Sequence, residues 1–145
     1  MKKTLYLIRG LAGSGKTTLA RNLLLFYANW DEDVQHYMVC ADDFFTIDGE
    51  YKFDPSRLGE AHDWCSGQAY RNMLNGNGVV IVHNTFSQRW EMEPYFEFAK
   101  ELGYSVFVIE CQNDFGSVHD VPDYVRERMA SRWHTNPRNP EGIKQ

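Results

Sequence analysis

The chain alternates short apolar runs with longer stretches in which apolar residues recur at helical spacing. Thr4 to Ile8 is almost wholly apolar, the pattern of a strand covered on both faces. From about Lys16, Leu19, Leu23 and Phe26 mark one face of a helix that stops near Asn29, before the acidic turn Asp31-Glu32-Asp33. Gln35 to Ala41 is a second predicted strand, with Asp42-Asp43 at its C-terminal end. Asp48-Gly49, set between Phe45/Ile47 and Tyr51/Phe53, predicts a small hairpin or flap. Pro55-Ser56 leads into a helix over Arg57 to Leu74 with Leu58, Ala61, Cys65, Ala69 and Met73 as its buried stripe. His62 falls on that stripe and reads as a core or cleft-wall histidine. Asn75-Gly76-Asn77-Gly78 ends the helix.

Val79 to Val82 is a third strand, followed by His83-Asn84-Thr85. Ser87 is a candidate cap for a third helix in which Trp90, Pro94, Phe98 and Leu102 recur at every fourth residue, with Pro94 a candidate kink. Tyr104 to Cys111 is the fourth strand. A fourth helix opens at Pro122, buries Val125, Met129 and Trp133, and carries Arg126, Arg128 and Arg132 on its flanks. The alternation predicts an α/β fold, a four- to five-stranded parallel sheet with helices on both faces. Residues 1–135 form one domain in this reading, and 136–145, with Pro137 and Pro140, a flexible tail.

Between the first strand and first helix stands Gly10-Leu11-Ala12-Gly13-Ser14-Gly15-Lys16-Thr17, a glycine followed after four residues by Gly-Lys-Thr. This is the phosphate-cradling P-loop in its required strand–loop–helix setting. Its backbone N–H groups, from Gly10 through Ala12, Gly13, Ser14 and Gly15 to Thr18, would curl around the phosphates at the helix N-terminus. Lys16 would reach the β- and γ-phosphates, and Thr17 would offer its hydroxyl to Mg²⁺. The ligand implied is ATP with Mg²⁺. In an open parallel sheet the ligand edge is the C-terminal end of the strands, so Asp42 and Asp43 lie beside the γ-phosphate by topology. Transfer to a hydroxyl needs a base, for which one of this pair is the natural candidate, with the pair otherwise ordering water around Mg²⁺. Asp43 is the carboxylate assigned to the metal with Thr17. A cation over the transferring phosphoryl is also needed, and Arg126, Arg128 and Arg132 are the candidates.

Composition changes this picture little. At 145 residues and a formal charge of −5, the chain lacks the basic face of a general duplex-DNA coat. Its three cysteines, Cys40, Cys65 and Cys111, have no metal-ligand spacing and read as reduced thiols in a cytoplasmic protein. No apolar run is long enough to span a membrane.

Gly10 to Thr18, Asp42-Asp43, Asn84-Thr85, Glu93-Pro94-Tyr95, and Val121-Pro122 followed by Arg128-Met129 resemble the bacteriophage polynucleotide 5′-kinase domain. They look closer still to small kinase-like P-loop proteins of phages and animals, in which Asp-Asp-Phe-Phe precedes an Asp-Gly-x-Tyr-x-Phe segment, as in Asp42 to Phe53. The resemblance covers about Leu5 to Trp133. It implies that Asp42 is the base for the 5′-hydroxyl, and Arg128 is the favoured clamp because it matches the family's Arg-Met pair after Val-Pro. Three departures stand out. Phe45 replaces an arginine used on the acceptor's phosphate, His83-Asn84-Thr85-Phe86 lacks a carboxylate of the family's Ser-Asp-Thr-Asn, and Asn113 to Asp120 has no lid arginine.

The expectation is a Mg²⁺-dependent kinase moving the γ-phosphoryl of ATP to a hydroxyl, with a single-stranded nucleic-acid 5′-end as the leading acceptor. Phe44, Phe45, Tyr51 and Phe53 would stack on its bases or else pack beneath the flap. A nucleoside, nucleotide or nucleotide-sugar acceptor is the alternative within the same chemistry. A catalytically weak ATP-dependent binding or switch module is the alternative outside it.

Overall fold

The computed structural model describes residues 2–112 and 133. Its main sheet has four parallel strands in the order β2-β5-β1-β6, where β1 is Thr4–Gly10, β2 His36–Val39, β5 Val79–Asn84 and β6 Ser105–Cys111. The α/β fold with a parallel sheet, expected from the alternation, is what forms. β1 lies between β5 and β6, so the chain leaves its C-terminal end at a point where connections diverge to either side, the place where such sheets bind ligands.

The faces of β1 follow from strand alternation. Leu5 and Leu7 join the core beneath α2 (Leu58–Leu74) and α3 (Glu93–Leu102), whereas Ile8 joins Ala20 and Tyr27 of α1 (Lys16–Trp30) on the other side. β5 is buried at all six positions, as the all-apolar run Val79 to Val82 requires. Among the described residues no helix is long and apolar enough to cross a membrane.

Several local expectations change. β2 is shorter than Gln35 to Ala41, because Ala41–Phe45 turns as a 3₁₀ segment and carries Asp42 and Asp43 off the sheet. β5 runs on through His83 and Asn84, which the third strand had left outside. On α1 the deepest contacts are Ala20 and Tyr27, whose hydroxyl meets that of Tyr6, and Phe26 faces out. In the third helix Trp90 is 69 % exposed and belongs to a separate 3₁₀ turn, Arg89–Glu91. That turn is capped by Gln88 with Glu91 reaching back to its N–H, and Ser87 instead donates its hydroxyl to Glu91. Pro94 falls in the first turn of α3, where its missing N–H costs nothing, so it kinks nothing. The fourth helix and the tail lie outside the described residues, apart from Trp133.

The predicted hairpin is present as β3 (Thr46–Ile47) paired with β4 (Glu50–Tyr51). Asp48 and Gly49 both have positive φ, 52° and 81°, which is the two-residue turn that matches strand twist. Phe45, just before the hairpin, is 2 % exposed and packs edge-on against Tyr51 and Phe53. It is core, so of the two roles considered for it, packing is the one it has. Truncating it leaves a cavity: Phe45→Ala should cost about 3–5 kcal/mol in urea denaturation, with an unchanged m-value if only the native packing is lost.

Candidate functional site

The loop from Gly10 to Gly15 is shaped by backbone needs. A Cβ on Gly10 would strike Ser14 Oγ and come within 2.8 Å of the Cys111 carbonyl oxygen, so only glycine fits beside β6. Gly13 and Gly15 take φ of 81° and 96°, the left-handed region open to glycine. Gly15 is also the N-cap of α1, and no side chain caps that terminus. The first-turn N–H groups are thereby left for a ligand, with the positive end of the helix dipole behind them. Ser14 is buried, and its hydroxyl has no hydrogen-bond partner among the described residues.

Lys16 Nζ donates to the carbonyls of Gly10 at 2.7 Å and Leu11 at 3.0 Å, so the ammonium is held across the loop. Burial pushes its pKa down, and the Asp42 carboxylate is the strongest opposing influence. Thr17 and Thr18 are exposed in the first turn. An uncapped helix N-terminus, a curled glycine backbone, an orphan hydroxyl and a tethered cation suit an oligophosphate.

The acidic pair is held on the same sheet edge by groups that spacing alone did not reveal. Asn84, at the end of β5, accepts a 2.7 Å hydrogen bond from the Ala41 N–H through Oδ1 and donates to Cys65 Sγ through Nδ2. The 3₁₀ turn is thus pinned one residue before Asp42. Asp42 Oδ1 accepts from the Tyr51 hydroxyl at 3.2 Å. Asp43 is exposed and caps its own turn, its Oδ2 accepting from the Cys40 N–H at 3.1 Å. A strand-end asparagine beside an acidic turn was the available signal for Asn84. For Tyr51 it was the register that Asp48-Gly49 imposes.

His83 precedes Asn84 and is 5 % exposed. By alternation it shares the face of Val79 and Ile81, beneath α1. Burial lowers its pKa to about 4, with the charges of Asp43, Lys16, Asp42 and Arg21 acting on it more weakly. It is a neutral imidazole among the charged groups of the site.

Arg126, Arg128 and Arg132 lie outside the described residues. Arg9 does not take their place. It is fully buried, donates to the Phe86 carbonyl through Nε and Nη2, pairs with Glu110 at 2.6 Å, and stacks 3.7 Å from the Trp133 ring. Among the described residues no cluster of three or more His, Cys, Asp or Glu could hold a metal. Thr17 and a carboxylate of the acidic turn are the groups here that could help hold a Mg²⁺ bound to phosphates.

A P-loop joining an inner strand of a parallel sheet to a helix, with acidic and polar residues at the same edge, defines a P-loop kinase fold. Residues 5–137 match a family model described as an AAA domain, and the chain belongs to that family. Human NEDD4-binding protein 2 is 37 % identical over an alignment of 115 residues that covers 75 % of this chain and only 6 % of that protein. The fold is shared with the Mycobacterium tuberculosis APS kinase CysC solved with AMPPNP and APS (TM-score 0.56, 17 % identity, 97 % of this chain and 70 % of that one). It is shared also with a chain of the Pnkp1/Rnl/Hen1 RNA repair complex (TM-score 0.55, 19 % identity, 99 % of this chain and 40 % of that one). The family shown is broader than the phage polynucleotide kinases.

His83 gives a pH test of this geometry. An unfolded histidine titrates near 6.5, and the folded pKa is about 4. Below pH 6.5 the unfolded chain takes up the proton first, so stability falls as pH drops toward 4. From pH 7 to 4.5 the protein should lose about 2–3 kcal/mol more than a His83→Gln variant in paired urea titrations.

Proposed function

We propose that this domain transfers the γ-phosphoryl of ATP to a hydroxyl, with Asp42 as base. The observation that carries the reading is the meeting, at one sheet edge, of an uncapped helix N-terminus bearing Lys16 with a carboxylate pinned in place by Asn84 and Tyr51. The loop residues Gly10, Ala12, Gly13, Ser14, Gly15, Thr17 and Thr18 would hold the phosphates. Mg²⁺, bound by Thr17 and Asp43, would neutralise charge on the β- and γ-phosphate oxygens. Lys16 holds the phosphate tail from the loop side, and Asp42 takes the proton of the attacking hydroxyl. Arg128 is the proposed clamp on the transferring phosphoryl, in keeping with the Arg-Met resemblance.

The acceptor proposed is a single-stranded nucleic-acid 5′-end or a nucleotide-like hydroxyl. The flap side of Asp42 supports it: Tyr51 and Phe53 stack with an interplanar angle of 9°, and the Arg57 guanidinium lies 4.8 Å over the Phe44 ring. Stacked planar rings suit a base, while the Arg57 guanidinium is itself paired with Glu60 at 2.9 Å. With Phe45 withdrawn into the core, Phe53 is the exposed ring of the flap beside the half-buried Phe44 and Tyr51, which favours a nucleotide-sized acceptor as the second reading.

The test is γ-labelled ATP with Mg²⁺, offered a 5′-hydroxyl single-stranded oligonucleotide and, separately, pooled nucleosides and nucleotides. Label should appear in one acceptor class; label only in free phosphate would reject transfer. Asp42→Asn should cut transfer by about two to four orders of magnitude while ATP affinity stays within severalfold. Lys16→Ala should abolish turnover in a folded protein, because it removes the loop's cation. Of the clamp candidates changed singly, Arg128→Gln should be crippled in turnover and Arg126→Gln and Arg132→Gln near normal.

A further inference from the structure

The hairpin has a role that its size conceals. Its two-residue turn sets Thr46 opposite Tyr51 and Ile47 opposite Glu50. Alternation then sends Glu50 outward, where it pairs with Lys52 at 3.8 Å, and Tyr51 inward onto Phe45 and Asp42. A slip of one residue would reverse this and bring the Glu50 carboxylate toward that of Asp42. The flap is anchored where it must be: the Lys52 N–H donates to the Phe45 carbonyl at 2.9 Å, and the rings of Phe45, Tyr51 and Phe53 contact one another.

We propose that Tyr51 is a positioning residue for Asp42, its hydroxyl holding the carboxylate through Oδ1 in the orientation that meets the acceptor hydroxyl. This rests on the phosphotransfer reading above. The backbone of the acidic turn is fixed from β5 by Asn84 acting on Ala41, and the Asp42 side chain is fixed from the flap by Tyr51. A base must be aligned to within a fraction of an ångström to act well, and a hydrogen bond to one carboxylate oxygen restricts rotation about the side-chain bonds. Burial and the neighbouring Asp42 push the Tyr51 phenol upward, so it remains a proton donor throughout the neutral range.

Tyr51→Phe removes the hydroxyl and keeps the ring that stacks on Phe53, so melting should be close to that of the wild type. The rates to compare are transfer of γ-label to water and to a 5′-hydroxyl single-stranded oligonucleotide, in wild type, Tyr51→Phe, Asp42→Asn and the double variant. The expected result is a kcat lowered about 10–100-fold in Tyr51→Phe with the KM for ATP within about twofold. In the Asp42→Asn background the second change should have no further effect, because Tyr51 acts through that carboxylate. An unchanged or faster Tyr51→Phe enzyme, a raised KM for ATP with kcat intact, or losses that multiply in the double variant would each overturn the proposal. If Asp42→Asn is crippled and Tyr51→Phe is not, only this inference falls. If Asp42→Asn is fully active, or the wild type leaves label only in free phosphate with the oligonucleotide and with pooled nucleosides and nucleotides alike, the phosphotransfer reading fails and takes this with it.

Discussion

A buried cation holds the ligand edge of the sheet together. Arg9, next to last in β1, is wholly removed from solvent, and burial lowers its pKa to about 10, which leaves it charged. Its guanidinium joins three parts of the chain: the Glu110 carboxylate on β6, the Phe86 carbonyl beyond β5, and the Trp133 ring. Trp133 Nε1 also donates to Glu110, so cation, anion and ring close on one another. Such a group is costly to strand. Removing one partner of a buried ion pair typically costs about 3–5 kcal/mol because the other is left uncompensated.

The cost is matched by what Arg9 fixes. Phe86 is a non-glycine residue at φ 47°, a conformation that side chains resist, and its ring is fully buried against Tyr95. Strained backbone of this kind persists only where the surroundings over-determine it. The two donors of Arg9 on the Phe86 carbonyl, and the ring packed in the core, supply that constraint. The chain leaving β5 is thereby bent directly after Asn84, the residue that pins the acidic turn. Site geometry is inherited from a cation that never touches the site.

Much of this was readable before any coordinates. The P-loop, the four strands, α2 and the flap turn all follow from local signals, because glycine, alternation and helical spacing act over a few residues. What the sequence hid depended on partners far along the chain. The role of Arg9 is set by Glu110, 101 positions away, which no local pattern reports. Phe45 looked available for stacking because a hairpin aromatic and a core aromatic have the same local pattern. Trp90 misled in the opposite direction, since four-residue spacing continued across a break between a 3₁₀ turn and α3. Topology put the acidic pair just past the end of β2, but its two members differ in partner, Asp42 accepting from the Tyr51 hydroxyl and Asp43 from the Cys40 N–H, contacts no spacing rule contains.

The bond from Lys16 to its own loop has one more implication. An ammonium has three donors, and two of them are turned to the Gly10 and Leu11 carbonyls. The side chain is therefore mounted like an instrument on a gimbal, with a single remaining donor to address a phosphate oxygen. Loop shape and charge placement cannot be altered independently. A change that widens the glycine turn swings the cation off its line, and an arginine, whose fork is planar, would not seat on the same two carbonyls. The eight residues of this motif behave as one mechanical part, in which the backbone is the mount and the lysine its pointer.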